Sequence, residues 1–416
     1  MRKLAAFMAL MMITMACLST VFAEEYNIRI HTFAVPTKNK VNVRREPTGS
    51  IRGTVDKKDP VYILDTTVKR NKTWCRVIVF DDGWYQAYIQ ADYLIPLHDV
   101  ASDVIKVDGG ANHVLLLRSD GTCLALGYSH LNGLKVSNWR NVKDIAAARF
   151  SSIALLQDGT ILIPDPDAYD VTPEILAWEN TAQISGFTMD VDLGGMVTGI
   201  DHDGNPMFTS TWDAYMGTPA PGNWAHVQQI SYSGSVAACL TEEGYAHVVI
   251  SQLTEQREPE ASEDLMRAEG ITGVRQLATG DTCLVLLVED GSVRFFGKDE
   301  YGAKACETWT DIKRIDACEQ YVIGLRSDSS VVMAGKMESH DCHPGVYAEG
   351  RHETTYVNFS EDGQLESWTD MVYIDASGQF ILGIHADGSP DMIGSYRYTC
   401  KRRHGGGLCD PYGEVR

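Results

Sequence analysis

ITGVRQLATGDTCLVLLVEDGSVRFFG, residues 271–297, holds in one copy the pattern that decides the fold. Ile271 is an apolar anchor, Val274 and Leu277 follow at spacings of three and six, and Leu287 stands sixteen on. An Asp290-Gly291 turn comes nineteen residues after the anchor. The skeleton recurs seven times, from Ala101, Trp139, Trp178, Trp224, Ile271, Trp309 and Trp368. The other turns are Asp120-Gly121, Asp158-Gly159, Asp203-Gly204, Glu243-Gly244, Asp328-Ser329 and Asp387-Gly388. Six copies keep the nineteen-residue offset and the third is longer by six. A fixed period of about 40 residues marks a chain of stacked units, none of which buries its own faces alone.

Within a unit, Val142 with Ile145, or Ile312 with Ile315, mark a short segment packed on neighbouring repeats. The run Cys283–Leu287, bounded by turn signals, reads as a strand buried on both faces, and we expect it to be the inner strand. The Asp-Gly pair supplies the positive φ angles of a tight hairpin, and Ser292–Phe296 returns from it. Copies of such a unit stack radially, leaving only short, protected edges. The expected fold is all-β: a seven-bladed β-propeller over residues 98–416.

Gly109-Gly-Ala-Asn-His113, Leu126–Gly133 and Phe295–Gly302 carry a resemblance to the repeat of the regulator-of-chromosome-condensation family. It extends from residue 101 to about 400 and implies that family's propeller. The family's histidine slot holds His113, Ser151, Met196, Val236, Cys283, Tyr321 and Phe380, so only the first copy keeps the type. The nucleotide-exchange activity of the eukaryotic founder is therefore not implied, since fold alone does not confer function. A closer analogue in setting is the group of secreted bacterial propellers of this type, some of which inhibit β-lactamases by binding them.

Residues 26–97 are a different unit. Val41–Pro47, Val61–Leu64, Trp74–Val79 and Trp84–Leu94 are short, β-branched and alternating, and they read as a small antiparallel barrel. The opening Val41-Asn-Val-Arg and the closing Gly83-Trp-Tyr to Tyr93-Leu94 resemble the bacterial SH3-like domain. That resemblance implies a cell-wall glycopeptide as ligand and Tyr62, Trp84, Tyr85 and Tyr93 as its contacts. Read from the residues alone, the same aromatics fill a tiny core.

Arg2 and Lys3, an apolar stretch from Leu4 to Phe22 and Val21-Phe-Ala23 have the form of a signal peptide, residues 1–23. Cys17 offers a lipoprotein anchor as the alternative. Export would place the chain outside the cell, and no later stretch is apolar enough to span a bilayer. The formal charge of −20 becomes −22 without Arg2 and Lys3. Such a balance disfavours nucleic acid and anionic lipid and suits a cationic partner. We expect a monomer that binds an extracellular protein.

Nine cysteines remain after the leader, an odd number. Cys239 and Cys283 read as buried apolar residues, Cys400 with Cys409 as a possible disulfide, and Cys306 with Cys318 as a second candidate pair. His340, Cys342, His343 and His352, and separately Asp165, Asp167, Asp170 and Glu174, carry metal-ligand side chains without a strong template, so no metal and no cofactor is expected. No nucleophile-elbow, P-loop or HExxH spacing occurs. Binding residues are expected on loops that diverge while the scaffold repeats. They are Arg149 with Phe150, Asp281, Glu319 with Gln320, and the aromatics Trp212 and Tyr215. The alternative reading is an enzyme acting on the cell wall or a polysaccharide, with Asp281 and Glu319 as its acid/base pair.

Overall fold

The repeated turn is a three-residue device in which only one residue takes the left-handed conformation. Gly291 has φ 82°, and its amide donates to the carbonyl of Val288 at 2.9 Å. The Asp290 side chain accepts the Ser292 amide at 2.9 Å. This is a type I turn closed by a left-handed glycine rather than a two-residue turn with both φ angles positive. Aspartate serves as acceptor, and the expectation that both members of the pair supply positive φ is corrected. Ser329 holds the same conformation at φ 71° without glycine's freedom.

We describe a computed structural model in which residues 28–394 are defined, apart from 81–83, 111–112, 128–133, 149–150, 165–172, 188–195, 210–211, 234, 341–353, 362 and 379. The signal-peptide reading, Cys400 and Cys409 fall outside the described residues. The chain separates at Val100 and Ala101 into two compact units.

In the second unit each repeat folds into one three-stranded antiparallel sheet with its second strand in the middle. The sheets are β8–β10 (Val104–Gly109, His113–Arg118, Cys123–Gly127), β11–β13 (Val142–Ala147, Ser152–Leu156, Ile161–Leu162) and β14–β16 (Thr181–Phe187, Met196–Asp201, Pro206–Phe208). Next come β17–β19 (Val227–Tyr232, Val236–Thr241, Ala246–Ile250) and β20–β22 (Val274–Gly280, Cys283–Val288, Val293–Gly297). The last two are β23–β25 (Ile312–Cys318, Tyr321–Arg326, Val331–Gly335) and β28–β30 (Met371–Ala376, Phe380–His385, Pro390–Gly394). The first strand of every sheet contacts the first strand of the next, and β28 contacts β8, so the cycle closes. The innermost strand is thus the first of each repeat. The second, expected there, lies mid-sheet and is buried on both faces, as β21 is.

Among the described residues, no strand from a distant terminus completes the last sheet. The Val104 amide donates to the Gly388 carbonyl at 2.9 Å, as Val142 does to Gly121 at 3.1 Å and Val227 to Gly204 at 2.9 Å. The seam between last and first sheets is therefore latched like the others.

Anchor and middle strand are matched in volume. Gly199, Gly324 and Gly383 lie under Trp178, Trp309 and Trp368, and an added Cβ would meet those rings at 2.8, 2.8 and 2.9 Å. Ala154 and Cys239 hold the equivalent position opposite Trp139 and Trp224, in shared buried clusters. Where the anchor is Ile271, the position is Leu286, and where it is Ala101, it is Leu116. Large meets small throughout, as close packing requires.

Two stretches lengthen the period of their repeats, residues 251–270 and residues 336–367, and both carry defined elements where described. Ser251 caps α2 (Gln252–Arg257), and α3 (Pro259–Met266) buries Leu265 while Asp264 accepts the Gly297 amide at 2.9 Å. The second insertion contains a hairpin of β26 (Met337–His340) and β27 (Thr354–Val357). Cys306 and Cys318 are buried and not joined to each other, so that candidate disulfide is absent. Burial behaves as expected for Cys239 and Cys283.

The first unit is one antiparallel sheet of β1 (Thr32–Pro36), β2 (Val41–Arg44), β3 (Ile51–Val55), β4 (Val61–Lys69), β5 (Lys72–Phe80), β6 (Trp84–Gln90) and β7 (Leu94–Pro96). Their order is β3-β2-β6-β5-β4-β1-β7. Val43, Ile63, Val77, Ala87 and Ile89 form its main core.

Replacing Gly324 by Leu puts side chain where Trp309 already stands. We expect a loss of about 2–4 kcal/mol on unfolding, read as a fall in melting temperature. Adding Trp309→Ile, which copies the Ile271–Leu286 pair, recovers most of it. Equal stability of the single and double variants would refute the volume match.

Candidate binding site

Polar residues alternate with core residues along each innermost strand, so by the two-residue period they face away from the packed side. The third residue of each is Lys106, Asp144, Gln183, Gln229, Gln276, Arg314 or Tyr373. Two residues on stand Asp108, Ala146, Ser185, Ser231, Ala278, Asp316 and Asp375.

Several of these side chains bond the backbone of the next innermost strand. Gln229 donates to the Leu277 carbonyl at 2.8 Å and accepts the Leu277 amide at 3.1 Å. Gln276 does the same to Ile315 at 2.7 and 2.9 Å. Asp144 accepts the Ile184 amide at 3.3 Å, and Asp316 the Ala376 amide at 2.8 Å. Lys106 donates to the Ile145 carbonyl at 2.9 Å, and Arg314 to the Ile374 carbonyl at 3.1 Å.

Charge is confined to one sector. Arg314, Asp316, Asp375, Lys106, Asp108 and Asp144 come from four consecutive sheets, counted across the seam, and Arg314 stacks over the Tyr373 ring at 4.0 Å. Strands β14, β17 and β20 offer only amides, hydroxyls and alanine at these positions. Burial pushes the Asp108 carboxyl up to about 7 against the pull of Lys106 and the Ala147 amide. Asp375 is raised well above the usual carboxylate range by burial and then by Asp108 and Asp316. Asp316 is raised by burial, opposed by the Ala376 amide and Arg314. For Lys106, burial acts to lower the ammonium, but Asp144, Tyr373 and Asp108 outweigh it and raise it.

Asp108, Asp316 and Asp375 lie near the ends of their strands, next to the loops into the second strands. The Asp281 amide donates to the Glu319 carbonyl at 2.9 Å. Glu319 sits at φ 48°, and its Oε1 lies 3.0 Å from where a Cβ on Gly378 would be. The predicted rim residues Asp281, Glu319 and Gln320 are thereby gathered at one end of the strands. They stand at the same end as a mixed inner-strand cluster in which Lys106 and Arg314 lie among carboxyls that burial has raised.

Other predicted residues lie elsewhere. Arg149, Phe150 and the side chain of Tyr215 are outside the described residues. Trp212, on α1 (Trp212–Met216), is 1% exposed and stacked on Phe208 at 4.3 Å and Tyr232 at 5.9 Å, so it is a core residue and no contact for a partner. Tyr62 is also wholly buried, edge-to-face on Phe33 at 5.6 Å, which removes it from the wall-binding set. Tyr85 and Tyr93 are half-buried and carry Arg52 at 4.2 Å and Lys38 at 4.6 Å over their rings. Trp84 begins β6, with its side chain outside the described residues. His113 is buried at the start of β9, with Nε2 3.4 Å from the Ser152 hydroxyl, and burial lowers it to about 4, so it is neutral. Most of the two candidate metal clusters falls outside the described residues. Among those described, no group of three or more His, Cys, Asp or Glu is placed to hold a metal.

No protein-family model and no curated protein matches the chain. Similar solved structures include the CRINKLY WD40 ectodomain of the Arabidopsis thaliana receptor kinase ACR4, at 13% identity and a TM-score of 0.45, covering 70% of this chain and 95% of that one. Yeast RCC1 (Prp20) bound to Kap60 is similar at 13% identity and a TM-score of 0.37, covering 70% and 69%. The β-propeller domain of Myceliophteria thermophila Cps50 (Swd1) matches at 10% identity and 0.38, covering 70% and 95%. The neighbours are RCC1-like and WD40 propellers, and the propeller-like reading of this chain rests on its own closed cycle of sheets.

The raised carboxyls fix a pH dependence. Asp108 titrates near 7 in the folded chain and near 4 when unfolded. The stability it contributes is complete below the lower value and lost as pH rises through the upper one. Asp108→Asn should match the parent protein near pH 4 and exceed it at pH 8 by on the order of 1–3 kcal/mol. Denaturant unfolding at the two pH values tests this, and a variant weakened equally at both would contradict it.

Proposed function

We propose that the chain is an exported, non-enzymatic binding protein whose seven-bladed β-propeller is a protein-interaction platform. In this reading residues 1–23 are a leader, and the first unit is an SH3-like barrel that associates the protein with the cell envelope. The observation that carries the reading is the rim on which Asp281 and Glu319 meet. Loops 281–282 and 319–320 differ between repeats, stand on a repeated rigid frame and adjoin Asp316 and Asp375. Divergent loops on an invariant scaffold are how binding surfaces are built. Acidic side chains on the rim, Asp281 and Glu319, favour a partner that presents lysine or arginine.

The mature chain, residues 24–416, should capture a basic exported protein from culture medium in a salt-sensitive manner. Asp281→Arg with Glu319→Arg should weaken capture at least tenfold without changing the melting temperature. Capture untouched by this reversal would sink the reading. Sustained turnover of muropeptides or glycans, abolished by Asp281→Asn, would replace it with the enzymatic one.

A further inference from the structure

The two units carry opposite charge. Residues 28–97 hold twelve Lys and Arg against seven Asp and Glu, a balance of +5, while residues 101–394 hold seventeen against forty-four, a balance of −27. The acidity of the whole chain therefore conceals a basic first unit.

Its arginines are gathered on one part of the sheet. Arg44 pairs across β2 and β6 with Tyr88, and Tyr88 pairs across β6 and β5 with Arg76. Alternation places all three on the face opposite Val43, Val77, Ala87 and Ile89 of the core. Gln86 ties the group together: its carbonyl accepts from Arg52 at 2.9 Å and its side chain accepts from Arg76 at 3.2 Å. Arg52 lies over the Tyr85 ring. Arg45 is near enough to lower the Arg52 guanidinium, after the larger effect of burial. Arg44 is held by the Gly49 carbonyl at 2.7 Å, and Arg76 by Asp65 at 2.6 Å. Arg44, Arg52 and Arg76 are thus fixed near Tyr88. Arg44 and Arg52 are each pre-oriented by one bond and keep further N–H donors to spare, while Arg76 is shared between Asp65 and Gln86.

We propose that this Arg44–Arg52–Arg76 face, with Tyr88, docks an anionic polysaccharide. Guanidinium forks match phosphate, sulfate or carboxylate oxygens in paired hydrogen bonds. The Tyr88 ring beside them offers flat apolar area to the face of a sugar ring. The inference deepens the envelope-associated reading and rests on it, and it names the ligand chemistry as polyanionic where the resemblance implied a glycopeptide.

The test uses the full mature chain and labelled dextran sulfate, with neutral dextran and a single-stranded DNA oligonucleotide as comparisons. Dextran sulfate should bind with an affinity that falls steeply with salt, and neutral dextran should not bind. Arg44→Gln, Arg52→Gln and Arg76→Gln together should weaken binding at least tenfold. Lys57→Gln, Lys58→Gln and Lys69→Gln, an equal charge change outside the face, should change it less than twofold. Arg52→Gln alone should weaken it about threefold, which keeps the test decisive if the triple variant does not fold. Equal losses in the two triple variants, or DNA bound as tightly as dextran sulfate, would overturn the proposal. Purified cell walls, intact or acid-stripped of their phosphodiester-linked polymers, separate the two levels. Retention on intact walls alone supports the proposal, and equal retention on both overturns it while leaving the envelope reading intact. No retention on either, with dextran sulfate still bound by the face, ends the envelope reading and leaves the anion site standing.

Discussion

Side chains that reach from one innermost strand to the backbone of the next hold the cycle of sheets together. Each first strand pairs with its own second strand on one side only, and its other edge faces the neighbouring repeat. Wedge-shaped packing keeps those edges too far apart for a ladder, yet unpaired buried amides and carbonyls are costly. Gln229 and Gln276 solve this by satisfying both backbone groups of one residue on the next strand, and Asp144 and Asp316 satisfy an amide. Lys106, Asp144, Gln229, Gln276 and Arg314 therefore act on the adjacent sheet as well as their own.

The same constraint shapes the charged sector. Amides on three consecutive sheets cost nothing in charge, whereas the four-sheet sector across the seam concentrates carboxylates with Lys106 and Arg314 between them. Partial neutralisation makes that sector tolerable in a confined space, but it leaves Asp108, Asp316 and Asp375 with raised carboxyls. Structural bonding and acidity are one arrangement here, because the groups that latch the sheets also face the axis. The first unit inverts the pattern: its arginines sit on an outer sheet face, away from the core that Val43 and Val77 define.

Much of this was legible in the residues. The anchors and turns marked all seven repeats, and the Asp-Gly signal located each hairpin even though only glycine bends left-handed. The pairing of Trp309 with Gly324 and of Ile271 with Leu286 is also visible in the sequence once the repeats are aligned. What was misread was which strand lies innermost: continuous burial in β21 suggested the axis, but a mid-sheet strand is covered on both faces just as fully. The signal for the axis was the polar residue between Val274 and Leu277 and its counterparts, an amide or charge where a half-exposed surface strand would also have one. Trp212 and Tyr62 were read as binding aromatics because nothing local distinguishes a buried ring from a presented one.

By itself the sequence determined that the chain is a series of equivalent β units after a separate small unit, because turn chemistry and apolar spacing are local properties that repeat. Only the tertiary structure decided that β28 meets β8, that Asp281 and Glu319 share a rim with Asp316 and Asp375, and that Arg44, Arg52 and Arg76 lie together. Those juxtapositions join residues tens to hundreds of positions apart. They follow from the angle at which whole sheets pack, which no short stretch of chain encodes.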